Sequence, residues 1–145
     1  MTINRKNCIV NFRRSILVSK MMKHIIMVGI GGMAGSIARF LASTYITKYY
    51  LSPFPFGTFI VNVSGCLLIG LLYGFSARYQ WFDSDWRLFL ATGFCGGYTT
   101  FSSFSAENMQ LIQQSMYGTF ALYSIASFSL GLLAVFIGFQ AIRLI

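Results

Sequence analysis

The stretch Gly93-Phe-Cys-Gly-Gly-Tyr-Thr-Thr-Phe-Ser-Ser-Phe-Ser-Ala-Glu-Asn108 decides how the rest of the chain is read. It carries two adjacent glycines, two adjacent threonines and three serines inside an otherwise apolar region. Such residues are poor in a helix interior or compete with it for backbone hydrogen bonds. The stretch therefore predicts a helix interrupted part-way along. Irregular backbone at membrane depth is tolerated only where it is buried in protein or lines a water-filled cavity. An interruption there exposes carbonyls that suit a cation and amides that suit an anion. Phe101 and Phe104, at i and i+3, are interleaved with the hydroxyls. An aromatic ring has a positive edge, so rings presented edge-on can solvate a small anion.

Composition places this stretch in lipid. Of the 145 residues, 56% are hydrophobic, 17% aromatic and only 10% charged, against about 25% charged in a soluble domain. Four segments reach the roughly 20 apolar residues needed to cross about 30 Å of hydrocarbon. They run from about His24 to Ile46, Thr58 to Ala77, Trp86 to Gln113, and Tyr117 to Ile142. Pro53 and Pro55 mark the first loop, since proline stops helices, and the third loop is short enough to demand an antiparallel hairpin. The expected fold is an all-α membrane protein of four transmembrane helices with a break in the third, occupying residues 23–145. Residues 1–22 form a basic extension, read as a surface-lying amphipathic helix, a disordered tail, or sequence upstream of a start at Met21 or Met22. The net charge of +8 lies mainly in that extension, with no basic stripe of the kind a nucleic-acid surface needs. Cys8, Cys66 and Cys95 have neither disulfide-framework nor zinc-site spacing.

The glycines are packing devices. Gly29-Ile-Gly31-Gly32-Met-Ala-Gly35 lacks the strand, the G-x-G-x-x-G count and the downstream acid of a dinucleotide turn. Gly31/Gly35, Gly70/Gly74, Gly93/Gly97 and Ser127/Gly131 lie at i and i+4, a pattern that lets membrane helices approach closely. Polar groups on the spans are the candidate functional residues. Arg39 reads either as a residue that snorkels or binds helix-end carbonyls, or as part of a site. Asn62 is costly unless paired and reads as interhelical glue or as a donor to an aqueous path. Tyr123 and Ser127, one helical turn apart, form a polar line on the fourth span.

Taken together, Gly31-Gly-Met-Ala-Gly35 with Arg39, Gly57-Thr-Phe-Ile-Val-Asn62-Val-Ser-Gly65, and Gly96-Gly-Tyr-Thr-Thr-Phe-Ser-Ser-Phe-Ser-Ala-Glu107 resemble the CrcB/Fluc fluoride channels over about residues 22–143. The first motif is weakly specific; the second and third, in this order and spacing, are highly so. The resemblance implies a fluoride-specific channel for passive efflux of cytoplasmic fluoride in a multi-pass cell-membrane protein, assembled as an antiparallel, dual-topology dimer. It implies a pathway past Asn62, Phe101, Phe104, Ser102, Ser103, Tyr123 and Ser127. It also implies a structural Na+ at the dimer centre, held by backbone carbonyls of Gly96 and Thr99, and an acid at Glu107. The family pattern has Ser-Thr between the two phenylalanines where this chain has Ser102-Ser103.

A small proton-coupled four-helix multidrug exporter is the main alternative. It needs a membrane-embedded carboxylate, usually in the first span, and that span has none; Glu107 is the sole candidate. An enzyme would want a nucleophile with a base or a metal cluster, and the lone His24 sits at a membrane boundary. Charge bias poses a separate question. Lys and Arg near span ends set orientation, and nine bases fall on the side of both termini against Lys48 alone on the other. One sequence that inserts both ways should carry little bias. Either translation begins at Met21 or Met22 and the protein is a homodimer, or it pairs with an oppositely oriented homologue. Expression of this chain alone in fluoride-sensitive cells decides between the two: growth rescue without any partner would eliminate obligate pairing.

Overall fold

The computed structural model describes residues 5–79, 82 and 84–144, with side chains described at residue 15 and from residue 17 onward. Asp83 and the first four residues of the basic extension lie outside the described residues. Every regular element among the described residues is helical. Helix α1 (Arg5–Tyr49) is a single element of 45 residues, about 67 Å at 1.5 Å per residue. That is roughly twice the hydrocarbon thickness, so the basic segment from Arg5 onward and the first span are one continuous helix. Helix α2 (Phe56–Arg78) begins directly after Pro55, and α6 (Tyr117–Leu144) closes the chain. The apolar part of α1, with α2 and α6, supplies three helices long and apolar enough to cross a membrane.

The third span is composite, as its composition requires. It consists of α3 (Ser84–Arg87), a π-helical segment (Leu88–Cys95), α4 (Gly96–Tyr98) and α5 (Phe101–Gln113). Thr99 and Thr100 between them are extended, with φ/ψ of −82°/157° and −150°/120°. The interruption falls in the predicted stretch; the π-helical approach to it has no counterpart in the sequence reading.

Backbone-to-backbone seams hold the spans together. A Cβ on Gly31 or Gly35 would collide with the carbonyl oxygens of Phe89 and Phe94 respectively, so α1 lies directly against the π-helical backbone. Across the second seam, Gly70 of α2 faces the Val135 carbonyl of α6, and Gly138 of α6 faces Leu67 and Leu71 of α2. In lipid no hydrophobic effect drives helices together, and such close contact supplies van der Waals attraction in its place. A Cβ on Gly131 would meet only Cys66 Sγ, in ordinary contact at 3.5 Å; the small residue that brings α6 against α2 is Gly138, seven positions further along.

Two connections fix the ends. Ser115, with φ 58°, reverses the chain between α5 and α6, and Met116 N–H reaches back to Leu111 O at 2.8 Å, a Schellman-type closure. At the opposite end, Lys23 and His24 of α1 both bind the Asp85 carboxylate of α3.

Gly35→Ala is expected to destabilise the protein by about 1–3 kcal/mol, the usual cost of overpacking a site that cannot yield, because the added methyl meets backbone instead of a movable side chain. Thermal unfolding in detergent checks this, and an unchanged midpoint would remove the seam from the stability of the fold.

Candidate functional site

The interruption at Thr99–Thr100 is the place to which the polar side chains of three spans converge. In an unbroken helix the Thr100 N–H would bond Gly96 O, and the Ser103 N–H would bond Thr99 O. Both donors are diverted. The Thr100 N–H donates to Asn62 Oδ1 at 2.8 Å, while Asn62 Nδ2 donates to Thr100 O at 3.1 Å. The Ser103 N–H donates to Thr100 Oγ1 at 3.2 Å, so Thr100 caps α5. Ser102 Oγ and Ser103 Oγ stand 3.1 and 3.2 Å from the same Thr100 Oγ1. The far side of the break is tied down as well. Arg39 Nε donates to Gly97 O at 3.1 Å, and both the N–H and the hydroxyl of Thr99 donate to Cys95 O at 2.9 Å.

These bonds assign roles to residues singled out from the sequence. Asn62 pairs the backbone on the far side of the break, which makes it interhelical glue of a particular kind. Arg39 binds a helix-end carbonyl, the structural alternative considered for it. Gly96 is exposed, with open space where a Cβ would be, and Gly96 and Thr99 have both lost the helical donors to their carbonyls. Among the described residues no group of three His, Cys, Asp or Glu side chains converges. What the break offers a cation is therefore carbonyl oxygen, the donor type a hard cation takes.

The aromatic residues form a ladder. Phe101 and Phe104 lie 5.8 Å apart between centroids, Phe104 and Tyr123 5.0 Å, and Tyr123 and Phe54 5.3 Å with planes at 75°. Tyr123 is fully buried, whereas Phe101 is 79% exposed on the single chain. Phe101 and Phe104 line an apolar groove of about 600 Å3 together with Asn62, Gly96, Thr99 and Ser127. The Ser127 hydroxyl is buried there without a hydrogen-bond partner among the described residues. A buried unpaired hydroxyl costs free energy, so it is a group with capacity to spare for a polar guest.

Behind the rings, Glu107 accepts from the Thr58 hydroxyl at 2.5 Å and from the Tyr123 hydroxyl at 2.7 Å, joining α2, α5 and α6. Next to it, Asn108 Nδ2 donates to Phe104 O at 2.9 Å and Asn108 Oδ1 accepts from Ser124 Oγ at 3.0 Å. Tyr123 and Ser127 thus do not form one continuous polar line: Tyr123 turns to Glu107, and Ser127 turns to the groove. Thr58, Thr100, Asn108 and Ser124 were not singled out from the sequence. Thr58 lies one helical turn before Asn62 and so shares its face, a spacing that could have revealed it.

Fold and site together define a multi-pass α-helical membrane protein whose polar groups are organised around an interrupted span. The chain belongs to the CrcB family, whose model, described as CrcB-like protein, Camphor Resistance (CrcB), matches residues 26–139. It is 47% identical over 119 residues to the fluoride-specific ion channel FluC of Azobacteroides pseudotrichonymphae, covering 82% of this chain and 95% of that protein. It is 46% identical over 120 residues to the protein of the same name from Bacteroides fragilis, covering 81% and 94%. The Flavobacterium psychrophilum FluC is 44% identical over 117 residues, covering 81% and 94%.

Replacing Asn62 by Leu is expected to leave the Thr100 N–H unpaired, at about 1–3 kcal/mol, and to strip the side-chain donor from Thr100 O, which as the N-cap carbonyl of α5 keeps its helical one. Amide hydrogen exchange at Thr100 should then accelerate by about 10- to 100-fold. Unchanged protection would show that the break holds without this side chain.

Proposed function

We propose that this protein is a fluoride-specific ion channel that lets cytoplasmic fluoride leave passively and so confers fluoride resistance. The observation that carries the reading is the apolar groove beside the interrupted span, where Phe101, Phe104 and an unpartnered Ser127 hydroxyl meet; the names of the relatives agree with it. Fluoride is small and strongly hydrated, so a dry passage must replace its water with other donors. Ring edges and hydroxyls at Ser102, Ser103 and Ser127 are suited to this, as are the amide of Asn62 when it is released from Thr100 and the hydroxyl of Tyr123 when it is released from Glu107. All are neutral, which favours exit as well as entry, since conduction requires that binding not be too strong.

The single chain leaves Phe101 and Gly96 exposed on the groove face, and in the proposed assembly an antiparallel partner covers that face and closes a pathway. The partner is a second copy or an oppositely oriented homologue. A structural Na+ between the protomers would be held by the carbonyls of Gly96 and Thr99, which the break has deprived of their helical donors, and would supply a positive charge that ties the two breaks together. The membrane is the cell's inner or plasma membrane. External acid lets neutral hydrogen fluoride enter, the anion forms inside near neutral pH, and the channel returns it down its gradient.

The test is fluoride loss from proteoliposomes, followed with a fluoride electrode. Rapid loss without a proton gradient or ATP is expected of the wild type, whereas a proton-coupled exporter working through Glu107 would need the gradient. Phe101→Ile and Phe104→Ile are each expected to lower the flux at least tenfold, with the oligomer still assembled on size exclusion; a tenfold change corresponds to about 1.4 kcal/mol in the barrier. Wild-type flux in both variants would remove the rings from the mechanism.

A further inference from the structure

A second groove, of about 670 Å3, continues from the first toward the end of the bundle that carries Arg78 and Arg143, and Arg87 lines it. On α2 the first groove is lined by Asn62, Cys66 and Ile69 and the second by Tyr73 and Ser76. Positions 62, 66, 69, 73 and 76 recur at steps of three and four, so they share one helical face. The same holds on α6, where Phe128 lines the first groove and Leu132, Val135 and Phe139 the second. The two grooves are therefore successive lengths of one furrow, with the phenylalanines and Ser127 toward one end and Arg87 toward the other.

Among the described residues lining either groove, Arg87 is the only charged one. Its neighbours of like charge are engaged elsewhere. Arg78 Nη1 donates to Ile142 O at 3.0 Å, and the Arg143 guanidinium lies over the Phe139 ring at 5.6 Å. Asp85, two residues from Arg87, binds Lys23 and His24. Among the described residues no carboxylate pairs with Arg87; its polar partner is the Ser76 hydroxyl at 3.4 Å, a long contact, and the residue is exposed. An exposed cation at the mouth of a low-dielectric furrow draws anions toward it and raises their local concentration. Because it remains in water, its attraction is weak enough for the anion to leave.

We infer that Arg87 is the anion-collecting residue of this pathway, attracting fluoride to the entrance of the furrow without binding it in the dry section. This rests on the fluoride-channel reading above. It assigns Arg87 a function distinct from that of the neutral groups: it sets the rate of arrival, and its contribution depends on ionic strength.

The experiment compares wild type, Arg87→Gln and Arg87→Lys in proteoliposomes at a fixed low fluoride concentration, with an impermeant salt varied from about 10 mM to about 1 M, over which the screening length falls from about 30 to about 3 Å. One unit charge several ångströms from the ion, in water, changes its local concentration by about threefold. Arg87→Gln should therefore lose fluoride about threefold more slowly than wild type at low salt and match it at high salt, while Arg87→Lys should follow wild type throughout. Wild-type rates for Arg87→Gln at low salt would overturn the inference. So would an equal slowing at both salt concentrations, which is what a packing defect produces. If the wild type itself loses no fluoride at any salt, the channel reading fails, and this inference with it.

Discussion

In hydrocarbon every backbone N–H and C=O must find a partner within the protein, and an unsatisfied group costs several kcal/mol. The extended residues Thr99 and Thr100 violate the helical solution to that constraint, so the structure around them is organised to restore it. An amide side chain is the natural substitute for a peptide group because it presents one acceptor and a pair of donors in a plane. Asn62 uses both kinds of group on a single residue, Thr100. A carboxylate has no donor for the Thr100 carbonyl and an aliphatic side chain has neither group. Arg39 on Gly97 O and the doubly used Cys95 O complete the account on the α4 side. The carbonyls left without a helical donor include those of Gly96 and Thr99, which line the furrow. The break thus sets aside specific unpaired groups and leaves few others at risk.

That arrangement works only if α2 stays in register with the third span and the third span with α1. The glycine seams supply the register. Gly65 of α2 faces the Thr99 side chain so closely that a Cβ would collide with it, which places Asn62, three residues earlier, opposite Thr100. The seam of Gly31 and Gly35 against the π-helical segment places Arg39 one turn further on, level with Gly97. The wider turn of the π-helix is a local adjustment of a kind often found at functional sites, and here it leads directly into the break. On the other side, Glu107 ties α5 to α2 and α6 through Thr58 and Tyr123, so the ring ladder is held on both flanks.

The parts of this structure legible in the sequence are those with a local cause. The interruption near Thr99 follows from the crowding of Gly, Thr and Ser at positions 96–103, and the membrane spans follow from length and hydropathy. That Asn62 must be paired follows from its burial in an apolar span. Its actual partner does not, because the partner depends on the register between α2 and the third span, which local pattern leaves open. The same limit separated Tyr123 from Ser127. Their spacing puts them on one face of α6, yet Tyr123 reaches a carboxylate on α5 and Ser127 reaches none. Loop one, with its two prolines, was readable as a turn but not as the source of Phe54, whose ring meets Tyr123 edge-on. The π-helical segment has no compositional signature in Leu88–Cys95; it lies where the chain packs backbone to backbone against Gly31 and Gly35 of α1.

The division between neutral and charged groups along the furrow follows from how electrostatic energy scales with its surroundings. The same unit charge that contributes about 1 kcal/mol at 4 Å in water contributes several times more where the effective dielectric is low. A guanidinium beside Phe101 or Phe104 would hold an anion far too tightly for it to move on, and its own burial would be costly. At the exposed position of Arg87 the attraction is of the order of thermal energy, enough to enrich an anion and too little to trap it. In the proposed pathway, neutral dipoles in the dry section and a cation only where water reaches it would be two consequences of one requirement, that each step be favourable enough to enter and shallow enough to leave.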